Sequence, residues 1–246
     1  MTIGFIGGGN MARALARGLG EPVLVTDGGS GRAAALAGEL GGQAYSSNAD
    51  LADRVEILIL AHKPAQLEAV AAEVGDRAAR VISLLGGTPL ERLRAAYPAS
   101  EVVRAMPNTA VEIREGVTCL CVDGAPELGR AARVLFERVG LVVELPERLI
   151  DVATAVSGVA PAYVALIAEA WIDAAIRHGL PPGPAAELVG ASLRGSAALL
   201  CSRSMDTLTV RREVTSPGGM TARGLQALER SGLRAAFAQA TEDVLG

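Results

Sequence analysis

An α/β half followed by an all-helical half is the architecture this sequence predicts, and three observations predict it. The chain opens with a short apolar run, residues 2–6, that breaks at Gly7, Gly8 and Gly9 and passes at once into a helical stripe of Met11, Ala14, Leu15 and Leu19. From there to Pro146, apolar runs of strand length alternate with helical patterns. Beyond Pro146 apolar residues recur only at helical spacing. Residues 1–146 are therefore expected to form a sheet domain and residues 147–246 a helical one.

The first unit reads as strand, tight turn, helix. Gly7, Gly9 and Ala12 fill the small-residue positions of a G-x-G-x-x-[GA] fingerprint. The first glycine permits the turn, the second lets a pyrophosphate approach the backbone, and the third small residue lets helix and strand pack closely. A glycine-rich connector with no ligand is the plainer reading of such a turn. Its place on the first strand of an alternating chain favours a Rossmann-type dinucleotide-binding domain, with the helix N-terminus facing the anion.

The remaining elements follow in order. Residues 22–26 read as a second strand ending at Asp27, and residues 32–40 as a helix stopped by Gly41 and Gly42. Residues 43–45 form a short third strand. Residues 55–61 are apolar on both faces, as a central parallel strand should be, and run into His62, Lys63 and Pro64. A helix over 65–74, a strand over 80–85, a helix over 89–96 and a strand over 102–105 come next, the last ending in Met106, Pro107, Asn108 and Thr109. Too few residues then remain for a helical crossover, so the strand over 117–122 is expected to turn back antiparallel. A helix over 126–139 and a strand over 141–145 close the sheet. Six helices follow, over 149–156, 162–178, 184–201, 208–214, 221–229 and 233–245. The loops GGGNM, TDGG, HKP, LGGT and MPNT all follow parallel strands, so they gather at the carboxyl edge of one sheet, where open α/β sheets bind ligands.

Composition narrows the function classes. Half of the residues are hydrophobic and 3% are aromatic, so the core is built from Ala, Val and Leu. A net charge of −4 without charge runs speaks against nucleic acid and against an anionic membrane surface. The longest apolar region, residues 153–172, contains Pro161 and Glu169 and is not expected to span a membrane. Met1 leads directly into folded pattern without a signal peptide, so a cytoplasmic enzyme is expected. Cys119, Cys121 and Cys201 fit no metal spacing and read as core thiols, the first two on one face of a strand. The chain's only lysine is Lys63. An Ala- and Leu-rich helical half leaves apolar stripes after one layer of packing, so a homodimer or higher homo-oligomer is expected.

A second glycine-rich segment, Val214 to Thr221, lies in the helical half. Ser216, Pro217, Gly218 and Gly219 make a turn whose amides and hydroxyls suit a carboxylate at the start of the next helix. An ordinary helix cap by Thr221 or Ser216 is the competing reading.

Five ordered segments, GFIGGGNMA from Gly4, KPAQ from Lys63, RAMPNTA from Arg104, TAVSGVAPAYV from Thr154 and VTSPGGMT from Val214, resemble the signature of pyrroline-5-carboxylate reductases across nearly the whole chain. The resemblance implies a Rossmann domain holding NAD(P)H, an intertwined helical dimer, and reduction of 1-pyrroline-5-carboxylate to L-proline, the last step of proline biosynthesis. It implies that Gly7, Gly9, Asn10 and Met11 hold the pyrophosphate and Asn48 the adenosine side. Ala61, Lys63 and Pro64 would lie along the nicotinamide ribose, and Pro107, Asn108 and Thr109 near the nicotinamide. Ser216, Gly218, Gly219, Met220 and Thr221 would bind the small cyclic imino acid, with Thr221 as the catalytic hydrogen-bond partner. The site is poor in acids and bases, which suits an imine already protonated over part of the physiological range: the enzyme's task is then orientation. Related β-hydroxyacid dehydrogenases use a lysine in the helical half, and this chain has none there.

The sequence departs from the family pattern at Ala110, Val159, Ala160, Arg212 and Met220. These positions leave room for a reductase of another cyclic imine, or for a cofactor-binding regulatory protein with little turnover. Cofactor choice is balanced. Asp27 stands where an acid normally bonds ribose hydroxyls, which favours NADH. The following Gly28, Gly29, Ser30, Gly31 and Arg32 supply the hydroxyl, amides and guanidinium that a 2′-phosphate needs. The balance leans slightly to NADPH.

Overall fold

The computed structural model describes all of residues 1–246, and it divides into two compact units, Met1–Pro161 and Ala162–Gly246. In the first unit an eight-stranded sheet carries β1 (Ile3–Ile6), β2 (Leu24–Thr26), β3 (Gln43–Tyr45), β4 (Ile57–Leu60), β5 (Arg80–Ser83), β6 (Glu101–Pro107), β7 (Gly116–Cys121) and β8 (Gly140–Glu144). Their spatial order is β3-β2-β1-β4-β5-β6-β7-β8, so the strand order reverses between β1 and β4. All pairings are parallel except β6 with β7, where Arg104 faces Cys121 and Met106 faces Cys119. The short connection through a 3-10 turn at Thr109–Ile113 produces that reversal as expected.

The helices cover both faces because strands such as β4 are apolar on both. One face packs Phe5, Ile57, Ile59 and Val103 against α1 (Asn10–Leu19), α2 (Arg32–Leu40) and α6 (Pro126–Glu137). The other packs Leu58, Leu60, Val81 and Val102 against α3 (Asn48–Ala52), α4 (Leu67–Val74), α5 (Leu90–Ala96) and Ile150 of α7 (Glu147–Ser157). α1 lies so close to the 3-10 turn that a Cβ on Gly18 would overlap the Val111 carbonyl.

The compact division falls after Pro161, beyond the change of pattern at Pro146. One reason, besides the core packing of Ile150, is Arg104, a charged residue on β6 that is 1% exposed. Its guanidinium bonds Glu147 Oε1 at 2.6 Å and Asp151 Oδ1 at 2.9 Å, and Glu147 also accepts the Leu90 amide at 2.9 Å. These bonds fasten α7 to the sheet.

The second unit holds most of α8 (Ala160–Arg177), then α9 (Pro182–Ser202), α10 (Thr207–Glu213), α11 (Met220–Arg230) and α12 (Leu233–Leu245). Tyr163 and Phe237 meet edge to face, with ring centroids 6.3 Å apart. Only Ala185 and Val189 are buried, while Leu166, Trp171, Leu188 and Phe237 are exposed. Cys119 and Cys121 are buried together beneath α7, as their alternation requires. Cys201 corrects the expectation of a core thiol: it is exposed at the end of α9. The stretch Glu147–Arg177 is long and apolar enough, by length and composition alone, to cross a membrane.

Candidate active site

Gly7 follows β1 at φ +112°, and a Cβ there would stand 2.5 Å from the carbonyl oxygen of Ala61, the residue after β4. Only glycine fits, so the two strand ends close upon each other at the switch point. Gly9 is the N-cap of α1 and brings no side-chain cap. The first amide of α1 to find a backbone acceptor is that of Arg13, on the Gly9 carbonyl, so the amides of Asn10, Met11 and Ala12 are free for an anion.

A crevice of about 680 Å³ opens in front of this turn, lined by Gly7, Gly9, Asp27, Arg32, Asn48, Ala61 and Lys63 among others. Seven of the sequence-predicted positions thus converge. Asn10 and Met11 begin the helix beside it, and Pro64 starts the turn after Lys63. Pro107, Asn108 and Thr109 stand at the end of β6, outside this cavity. Asn108 is buried, its amide donating to the Ser157 carbonyl at 3.1 Å and its Oδ1 accepting from the Val117 amide at 3.2 Å. Its side chain therefore ties β6 to β7 and α7.

The loop after β2 is wired by Asp27. Its carboxylate accepts the Gly29 amide at 2.9 Å, the Ser30 hydroxyl at 2.7 Å and the Ala33 amide at 2.8 Å. Partial burial works against the charge, yet the Ala33, Ser30 and Gly29 donors outweigh it and hold the carboxyl below the usual aspartate range. The Arg32 guanidinium has no acidic partner, and neither has the Lys63 ammonium.

His62 is one of the lining residues that the sequence does not mark as a site residue. Its Nδ1 lies 2.9 Å from the Lys63 carbonyl and so carries the proton, leaving Nε2 a bare, buried acceptor without a partner. Burial holds the imidazole neutral below its ordinary value, against the opposing pull of that carbonyl. Its neighbours in the sequence mark the loop, but nothing in the pattern marks a lone histidine there.

The second glycine turn belongs to the helical unit and is described within it. Thr215 Oγ1 donates to the Arg211 carbonyl at 2.5 Å, and the Gly219 amide to the Ser216 carbonyl at 3.1 Å. Gly218 sits at φ +70°, and a Cβ on Gly219 would overlap Ser216 Oγ. Gly219, not Thr221 or Ser216, is the N-cap of α11, and no side chain caps it. Arg223 donates to the Gly219 carbonyl, so the amides of Met220, Thr221 and Ala222 have no intrahelical acceptor. Met220 is 83% exposed beside them, and Arg212 is exposed without an ion-pair partner.

A doubly wound sheet with a glycine-closed switch point and free helix amides, joined to a helical unit, defines a Rossmann-type, NAD(P)-dependent oxidoreductase. Residues 147–245 match the family described as pyrroline-5-carboxylate reductase dimerisation, and residues 2–87 match the one described as NADP oxidoreductase, coenzyme F420-dependent. The chain is 36% identical over 251 residues to a pyrroline-5-carboxylate reductase of a Synechocystis species, covering 98% of this chain and 94% of that one. It is 38% identical over 254 residues to one from Thermus thermophilus, covering 98% and 95%. The crystal structure of the Plasmodium falciparum pyrroline carboxylate reductase with NADP bound aligns at a TM-score of 0.90 and 27% identity, covering 99% and 95%. The chain belongs to the pyrroline-5-carboxylate reductase family.

Proposed function

We propose that this protein reduces 1-pyrroline-5-carboxylate to L-proline, the last step of proline biosynthesis, with NAD(P)H as the hydride donor. One observation carries the reading: α1 and α11 each start on a glycine-rich loop, GGG before Asn10 and SPGG before Met220, with no side-chain cap and three amides free for an anion. The first, in the 680 Å³ crevice, suits the pyrophosphate of a dinucleotide. The second, after Ser216, Pro217, Gly218 and Gly219, suits the carboxylate of a small imino acid.

Bound dinucleotide supplies a hydride from its nicotinamide. The residues supply the rest. Gly7 and Ala61 shape the turn on which the backbone approaches the pyrophosphate, and Lys63, free of any acid, adds a positive charge at the crevice. Thr221, whose hydroxyl makes no hydrogen bond within the chain, is the donor or acceptor for the imine nitrogen. No strong acid or base is required, because a protonated imine already has the charge that attracts hydride.

NADPH is favoured over NADH because Asp27 is engaged by three donors of its own loop, while Ser30 and Arg32 stand beside it. Arg32→Ala is expected to lower the NADPH preference. We further propose that the helical unit dimerises through the exposed Leu166, Trp171 and Phe237, which also accounts for the apolar character of the stretch from Glu147 to Arg177 without a membrane. The cytoplasm is its expected place.

The test is oxidation of NADPH on adding the imine, with Thr221→Ala and Thr221→Ser beside the parent. Thr221→Ala is expected to lower kcat/KM by about tenfold, equal to about 1.4 kcal/mol of transition-state stabilisation, with the melting temperature kept. Thr221→Ser should recover most of the rate. A six-membered cyclic imine outpacing the five-membered one would move the substrate assignment, and cofactor binding without turnover would make the protein regulatory.

A further inference from the structure

Two carboxylates line the dinucleotide crevice, and their hydrogen bonding differs. Asp27 gives its oxygens to Gly29, Ser30 and Ala33. Glu73, on α4, uses only one. A relay places it. The buried Thr26 hydroxyl on β2 donates to Asn48 Oδ1 at 2.6 Å, which turns the amide nitrogen of Asn48 toward Glu73 Oε2 at 2.5 Å. Glu73 lines the crevice, and its Oε1 has no partner in the chain. Ala69 and Val70 line the same wall, one helical turn before Glu73 and on the same face of α4.

We propose that Glu73 reads the edge of the cofactor's adenine ring, accepting a hydrogen bond from its exocyclic amino group while Ala69 and Val70 flank the ring's face. The inference rests on the dinucleotide reading above. A flat ring against an apolar helical face brings its rim to the residue one turn on. An amino group there donates to the free oxygen. A 6-oxo group in the same place is an acceptor, and meets the carboxylate with repulsion and an unpaired lone pair. Asp27 serves less well, since three donors of its own loop already take most of its lone pairs, both of those on Oδ2 among them.

The experiment is calorimetric titration of the full-length protein with NADPH and with the otherwise identical hypoxanthine dinucleotide phosphate, which carries the 6-oxo group. The parent should bind the adenine form about tenfold more tightly, the ordinary scale for a charge-assisted hydrogen bond. Glu73→Gln keeps an oxygen for Asn48 and turns an amide donor into the crevice, so the preference should vanish or invert. Glu73→Ala should leave the two within about twofold. Glu73 is exposed, so both variants are expected to fold. Equal binding of the two cofactors by the parent, or an adenine preference that survives both substitutions, overturns the assignment of Glu73 while leaving the dinucleotide reading standing. No saturable binding of either cofactor overturns both.

Discussion

The sheet unit and the helical unit spend their apolar residues differently. In the sheet unit Leu58, Ile59, Leu60, Val81, Ile82 and Val103 are sealed between two helical layers, and even the Arg104 side chain is enclosed, paired with Glu147 and Asp151. In the helical unit α8, α11 and α12 bury no residue completely, and Trp171 is 51% exposed. The first is a finished core. The second has the composition of a core but holds half of one, which is what an element built to meet a copy of itself looks like.

The difference can be broken most sharply at ion pairs. Arg104→Ala should cost about 3 kcal/mol of stability, the lower end for breaking a buried pair, because Asp151 is largely solvated while Glu147 is left partly buried, with its Oε2 out of solvent. Arg234→Ala removes a pair with Glu229 whose partners are both exposed, and the denaturation midpoint should not move measurably. Equal effects in a urea titration would contradict the contrast between the units.

Trp171→Glu sharpens it from the other side. On an uncovered face the substitution should leave the secondary structure of the chain intact and lower its mass in sedimentation toward the monomer. An unchanged oligomer would remove Trp171 from the interface.

Within the sheet unit, Lys63→Ala should weaken NADPH binding by about tenfold, or about 1.4 kcal/mol, without altering the fold, because the ammonium has no internal partner to lose. A change under about twofold would return Lys63 to the status of a solvated loop residue.

The smallest effect belongs to His62. Its folded pKa lies below the ordinary 6.5, so the unfolded chain takes up the proton first as pH falls. Stability should therefore be unaffected by this group above 6.5, decline as pH drops beneath it, and level off below the folded value. In His62→Val that decline should be shallower in melts recorded across the window.

Much of this architecture was legible in the residues. Alternating apolar runs located every strand, and the short link after Asn108 required the antiparallel β7. The five-residue α3 was not legible, since one helical turn leaves no period to read. Periodicity also identified α7 as a helix without saying which body it packs on. That depends on Arg104, whose charge hides its burial in a sequence. The crevice residues were legible where backbone geometry dictates type, as at Gly7 and Gly9. They were not where a side chain's partner decides its role: Asp27 turns into its own loop, Asn108 ties strands together, and His62 and Glu73 keep a free atom in or near the crevice.

Hydride delivery to the imine carbon leaves a label on the product, and isotope transfer reads it. The purified protein, given 1-pyrroline-5-carboxylate and NADPH carrying deuterium at the nicotinamide C4 on both faces, should yield L-proline with one deuterium on the ring carbon that was double-bonded to nitrogen. Proline formed without the label, or cofactor bound with no proline formed, would contradict it.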